Sequence, residues 1–97
     1  MITVTFGPHS ITAVGHADTA PAGEDLVCAA VSTLFYALHM GLAAIDGVDV
    51  AISRLKPGEG HIEAHNTTRE ADGMFTMVKT ALSGLAESFP DAIRIEQ

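Results

Sequence analysis

The apolar positions of this chain switch between a period of two and a period near 3.6, and each switch marks an element. Residues 2–6, Ile2-Thr3-Val4-Thr5-Phe6, alternate as a strand does, and residues 11–15 follow as a second strand. Gly7-Pro8-His9-Ser10 supplies turn chemistry between them, so the two predict a hairpin. After a loop of small residues broken by Pro21, a first helix is predicted from Gly23–Glu24 to about Ile45. Glu24 and Asp25 suit the positive end of a helix dipole. Val48 to Leu55 and His61 to Asn66 read as two further strands around the turn Lys56-Pro57-Gly58-Glu59-Gly60. Thr67 with Glu70 forms a capping-box pattern for a second helix. Its apolar face carries Met74, Phe75, Val78, Ala81, Leu82, Leu85 and Phe89, and Pro90 stops it. Ala92 to Glu96 makes a last short strand. The predicted order is ββαββαβ, an α/β (α+β) arrangement with two main helices. Because a helix separates strands two and three, a crossover and hence a mixed sheet are expected.

Helix one has a chemical side. At about 100° per residue, Leu26, Val27, Ala30, Val31, Leu34, Leu38, Leu42 and Ile45 make a broad apolar arc. Asp25, Cys28, Ser32, Tyr36 and His39 fall together on the other side. Cys28 also lies within about a turn of the helix start, where the dipole favours a thiolate. Spacing alone leaves two readings open, a small core hydrophobe or a reactive thiol. Asp25 opposes thiolate formation unless a cation stands nearby, and His16, just before the loop, is the available one.

Length and charge narrow the function. Ninety-seven residues make one domain, 1–97, with a modest core burying roughly 60–65% of the unfolded surface. A dimer interface would add to it. Five Lys and Arg against twelve Asp and Glu give a net charge of −7, which argues against direct nucleic-acid binding. One cysteine excludes an internal disulfide or a thiolate zinc site. The stretch Leu26–Ile45 carries no charged residue and is long enough to span a bilayer, at about 20 residues. Acids flank it and the first basic residue is Arg54, so no membrane insertion is expected. With no secretory signal at Met1–Phe6, the expected compartment is cytoplasmic.

Other signals carry less. On a strand, His61 and His65 share a face but lie roughly 13 Å apart, too far for one zinc, and are expected to be exposed. His9 belongs to a turn, and His39 to the polar edge of helix one. Cys28 and His16 find no third or fourth ligand, so neither metal nor cofactor is expected. Asn66-Thr67-Thr68 matches a glycosylation sequon but reads better as a cap. Gly58-Glu59-Gly60 lacks the ending of a phosphate loop, and no G-x-S-x-G elbow occurs.

Gly15-His16-Ala17, followed by Gly23-Glu24-Asp25-Leu26-Val27-Cys28-Ala29-Ala30-Val31-Ser32, resembles the signature of the bacterial ribosomal-processing cysteine protease family, Prp. That pattern is GHA, a short loop, then G-x-D-[IL]-V-C-A-A-V-S. The resemblance implies a small homodimeric cysteine endopeptidase that removes the N-terminal extension of large-subunit ribosomal protein twenty-seven. It makes Cys28 the nucleophile and His16 its base, with Asp25, Ser32 and Gly15 at supporting positions. Asp25 either orients His16 or braces the loop. The loop Ala17, Asp18, Thr19, Ala20, Pro21, Ala22 and Gly23 would gate the substrate. Leu26 replaces the usual isoleucine, and the aromatic residues frequent in the family's loop are absent here. Two other readings use the same residues: a non-catalytic dimeric module that binds a ribosomal protein or peptide, with Cys28 as packing, and a hydrolase of small acyl substrates.

Overall fold

A computed structural model describes residues 1–15, 26–56 and 58–96. The order is β1 (Ile2–Gly7), β2 (Ser10–Val14), α1 (Leu26–Ala43), β3 (Asp49–Lys56), β4 (Glu59–His65), α2 (Arg69–Ser88) and β5 (Ile93–Glu96). The expected ββαββαβ order and single α+β domain are therefore present. The strands form one sheet in the order β3-β4-β2-β1-β5. β1 pairs β5 in parallel and the other neighbours are antiparallel, so the sheet is mixed as the crossover argument requires.

Strand alternation decides what each face holds. Ile2, Val4, Ile11, Ala13, Ile62, Ala64 and Ile93 point to the side covered by the helices and are buried. Thr3, Thr5, Thr12, His61, Glu63, Arg94 and Glu96 alternate with them onto the open face. α1 packs over β3 and β4, α2 over β5, and the helices pack against each other. The core between the layers takes Val27, Val31, Phe35, Leu38 and Leu42 from α1, and Ala71, Phe75, Val78 and Leu82 from α2. α1 has the length and mean hydropathy, 1.8, of a membrane span; these five residues nonetheless lie in the protein core.

Several boundaries and faces differ from the sequence reading. The buried stripe of α1 includes Phe35 and leaves Leu26 81% exposed. Its middle is thereby rotated toward Cys28, which stands about 60° from it rather than opposite. The cap of α2 is Thr68, whose hydroxyl accepts from the Ala71 N–H at 3.2 Å, not Thr67. Thr67 is turned away instead, its Oγ1 3.1 Å from His9 Nε2, so the Thr67/Glu70 capping box does not form. Asn66 closes β4 with a φ of 55°, a conformation asparagine tolerates. Phe89 is 47% exposed because it forms the C-cap of α2, its N–H bonded to the Leu85 carbonyl. The two crossed ends of the β3–β4 turn pair as Lys56↔Glu59, so that turn is shorter than expected.

A register shift between Val50 and Ile52 gives β3 its particular facing. An extra residue in one strand flips the side chains beyond it to the other face. Val50 opposes Ala64, yet past the shift it is Ser53 that opposes Ile62 and Leu55 that opposes Gly60. Ser53 and Leu55 thus face α1. Ser53 Oγ lies 2.9 Å from His39 Nδ1, which ties the polar edge of α1 to the sheet.

Candidate active site

The site is assembled where the N-terminal end of α1 passes the β3–β4 hairpin. Cys28 is the third residue of α1, half-buried, packed against the core and not in a disulfide. Ser32 and Tyr36 follow at one-turn intervals, four and eight residues on, so the three make a ladder along one edge of the helix. All three line a cleft of about 390 Å³. Val31 and Phe35 contribute apolar surface from the same helix, Ile2 and Ala13 form part of the sheet side, and the hairpin supplies Leu55, Lys56, Gly58, Glu59 and Gly60.

The cleft is apolar inside and charged along its hairpin rim. Lys56 Nζ lies 3.6 Å from Glu59 Oε2, and Arg54 Nη2 lies 3.9 Å from Glu59 Oε1. With both cations about 60% exposed, such pairs hold little stability and exchange readily with an incoming charge.

Gly15 closes the end of the cleft beside β1. Its φ is 110°, and a Cβ there would collide with the carbonyl oxygen of Met1. Its N–H donates to the Gly58 carbonyl at 2.9 Å, fastening the end of β2 to the hairpin turn. Glycine is required here on both counts. Gly15→Ala is expected to lower stability by about 1–3 kcal/mol, read as a lower midpoint of urea unfolding at unchanged slope.

Of the residues singled out from sequence, Cys28, Ser32 and Gly15 therefore meet in one cleft. His16, Asp25 and the loop Ala17–Gly23 lie outside the described residues, as does the start of helix one at Gly23–Glu24. The hairpin wall and Phe35 were missed. A signal for Phe35 exists: it lies seven residues beyond Cys28, hence two turns along the same side of the helix. For Leu55 the shift in β3 register hides it, since simple alternation from Val48 or Val50 faces it the other way.

The remaining histidines take structural places. His61 is not exposed as expected: its side chain is 17% accessible, flanked in the sheet by Thr12 and Arg54. Its Nδ1 shares a 2.6 Å hydrogen bond with Thr12 Oγ1. His61 Nε2 and the exposed His65 Nε2 both face the Glu63 carboxylate, at 3.6 and 2.9 Å. His9 Nε2 lies 3.2 Å from Asp72 Oδ1, joining the β1–β2 turn to α2. Among the described residues no group of three or more His, Cys, Asp or Glu is placed to hold a metal ion.

Known proteins share both the sequence pattern and the fold. The family model of the cysteine protease Prp matches residues 1–94. The chain belongs to the cysteine protease Prp family. The comparison with curated proteins found no match. Among solved structures, the ribosomal processing protease Prp of S. aureus with a covalently linked product peptide superposes with a TM-score of 0.86 at 23% identity, covering 99% of this chain and 98% of that one. The same S. aureus protease with a substrate peptide gives 0.77 at 20% identity, over 98% and 95% of the two chains. SMU.848 from Streptococcus mutans gives 0.79 at 27% identity, over 99% and 92%. These likenesses establish a Prp fold over nearly the full length of each chain.

Proposed function

We propose that this member of the Prp family is a cytoplasmic endopeptidase that removes the N-terminal extension of large-subunit ribosomal protein twenty-seven during ribosome assembly. The observation that carries the reading is the placement of Cys28 in the wall of an apolar cleft roomy enough for peptide side chains. In this mechanism Cys28 is the nucleophile and His16 the base. His16 takes the thiol proton, and Sγ attacks the scissile carbonyl carbon to form a C–S bond. Backbone N–H donors around Cys28 hold the tetrahedral oxyanion. As the C–N bond breaks, the His16 imidazolium protonates the departing amine, leaving a thioester. His16 then takes a proton from water, which adds to the thioester carbonyl. Collapse releases the carboxylate product and the thiolate. Ser32, one turn past Cys28, supports the peptide by hydrogen bonding, Asp25 holds His16 or the loop, and the Ala17–Gly23 loop closes over the substrate.

Charge supports a basic partner. A chain of net charge −7 attracts a basic ribosomal protein and repels nucleic acid, and salt weakens that attraction. A homodimer is part of the same reading. Leu26, Tyr36 and Met40 are exposed on α1, which carries no charged residue, so two acidic chains meet least repulsion there.

The test is a peptide spanning the processing site of the host's ribosomal protein twenty-seven, incubated with the protein and read by mass spectrometry. Two fragments whose masses sum to the substrate plus one water are expected, with simple thioesters turned over more slowly. An intact peptide beside rapid thioester hydrolysis would instead favour a small-acyl hydrolase.

A further inference from the structure

Gly60 stands inside strand β4, paired with Ala13 of β2 and Leu55 of β3. Glycine weakens a strand interior and commonly marks a close approach by another group. Its backbone does not call for glycine, because the positive-φ glycines of the described residues are Gly15, Gly47 and Gly58. The close approach is made by Phe35. A Cβ built at Gly60 lies 3.3 Å from both Cδ1 and Cε1 of that ring, closer than ordinary van der Waals contact. The ring therefore rests directly on the bare strand, is only 2% exposed, and still lines the cleft together with Gly60. Phe35 lies seven residues beyond Cys28 on the same side of α1, about 10 Å along the helix axis. An extended peptide covers that distance in about three residues.

We infer that the bare strand at Gly60 lets Phe35 sink onto the sheet and so sets the depth of the cleft, selecting a bulky apolar substrate side chain within about three residues of the scissile bond. The inference rests on the peptidase reading above and adds a specificity-determining pair to it. A side chain at Gly60 lifts the Phe35 ring into the cleft and takes the space the substrate side chain would fill. A smaller residue at Phe35 gives that space back. Size complementarity of this kind discriminates by about 10–200-fold in apolar pockets.

The test is a peptide panel built on the processing-site sequence, in which each of the three residues on either side of the scissile bond is in turn Ala, Leu or Phe. Wild type is expected to prefer Leu or Phe over Ala at one position. Gly60→Val should cut kcat/KM for the bulky peptides at that position by about tenfold or more while changing the Ala peptide by less than about threefold. Phe35→Leu in the Gly60→Val background should restore the bulky peptides to within about threefold of wild type. Gly60→Ala, whose one methyl needs the ring to give only a little, should shift the same ratio in the same direction and covers the case in which the valine variant does not fold. An equal loss on all peptides, or no rescue by Phe35→Leu in a variant that folds, overturns the inference and leaves the peptidase reading standing. A wild-type protein that cleaves no member of the panel overturns both.

Discussion

Cys28→Ala will abolish peptide cleavage and leave the fold in place. Loss of a covalent nucleophile removes the whole bond-forming route, and comparable deletions in acyl-transfer enzymes lower kcat by about 10⁴-fold or more. That factor corresponds to about 5 kcal/mol or more of transition-state stabilisation. The fold has little reason to follow. Cys28 is half-buried near the start of α1, and the helix is held mainly by Val27, Val31, Phe35, Leu38 and Leu42. Truncation of one partly accessible side chain costs about 1 kcal/mol. Circular dichroism and a urea melt should therefore nearly match wild type while mass spectrometry finds intact peptide. A His16→Ala protein should show the same loss with its thiol still present. If Cys28→Ala cleaved at the wild-type rate, Cys28 would not be the nucleophile. If the wild type itself left the peptide intact, the non-catalytic binding module, with Cys28 as a packing residue, would become the better account of the cleft.

Much of this was legible because hydrophobic period reports directly on element type. Ile2-Thr3-Val4 and the spacing Phe75, Val78, Leu82 each declare a buried side, and both sides are buried as read. The edges were less legible because they depend on single contacts between distant residues. Thr67 and Thr68 are equivalent as caps by composition, and it is His9, some 58 residues away, that engages Thr67 and leaves the capping role to Thr68. The site divides along the same line. Cys28, Ser32 and Gly15 stand close to one another in sequence within one motif, so a linear pattern could gather them. Leu55, Lys56, Glu59 and Gly60 come from a hairpin whose facing is set by the shifted register after Val50, a property of strand pairing rather than of any one strand. Gly60 is the sharpest case. Read linearly it is the last residue of the Lys56–Gly60 turn, whereas in the fold it lies inside β4 as the seat of the Phe35 ring.

Phe75→Ala should do the reverse of Cys28→Ala, removing stability while sparing the chemistry. Phe75 is 2% exposed at the centre of the layer between α2 and the sheet. The His9 ring meets it edge-on with centroids 6.2 Å apart, and Lys79 Nζ lies 5.9 Å from its centroid. Truncation of a buried phenylalanine to alanine costs about 3–5 kcal/mol, through lost transfer energy and the cavity left behind. Domains of this size hold about 5–15 kcal/mol in total, so the variant sits near the threshold of folding. At about 4–8 °C per kcal/mol, Tm should fall by at least about 12 °C. Lys79 is not stranded by the change: its Nζ keeps a 2.7 Å hydrogen bond to the Gly7 carbonyl and its place over Phe6, 5.7 Å from that centroid. The loss is thus one of packing, without an added buried unpaired charge. Phe75 takes no part in lining the cleft beside Cys28. Assayed well below its own Tm, the folded fraction should cleave peptide at a kcat/KM within about twofold of wild type, since only effects at the transition state change that ratio. A fall in Tm under about 4 °C would mean the site collapses around the missing ring. A large fall in kcat/KM per folded molecule would mean instead that α2 transmits its packing through α1 to the cleft.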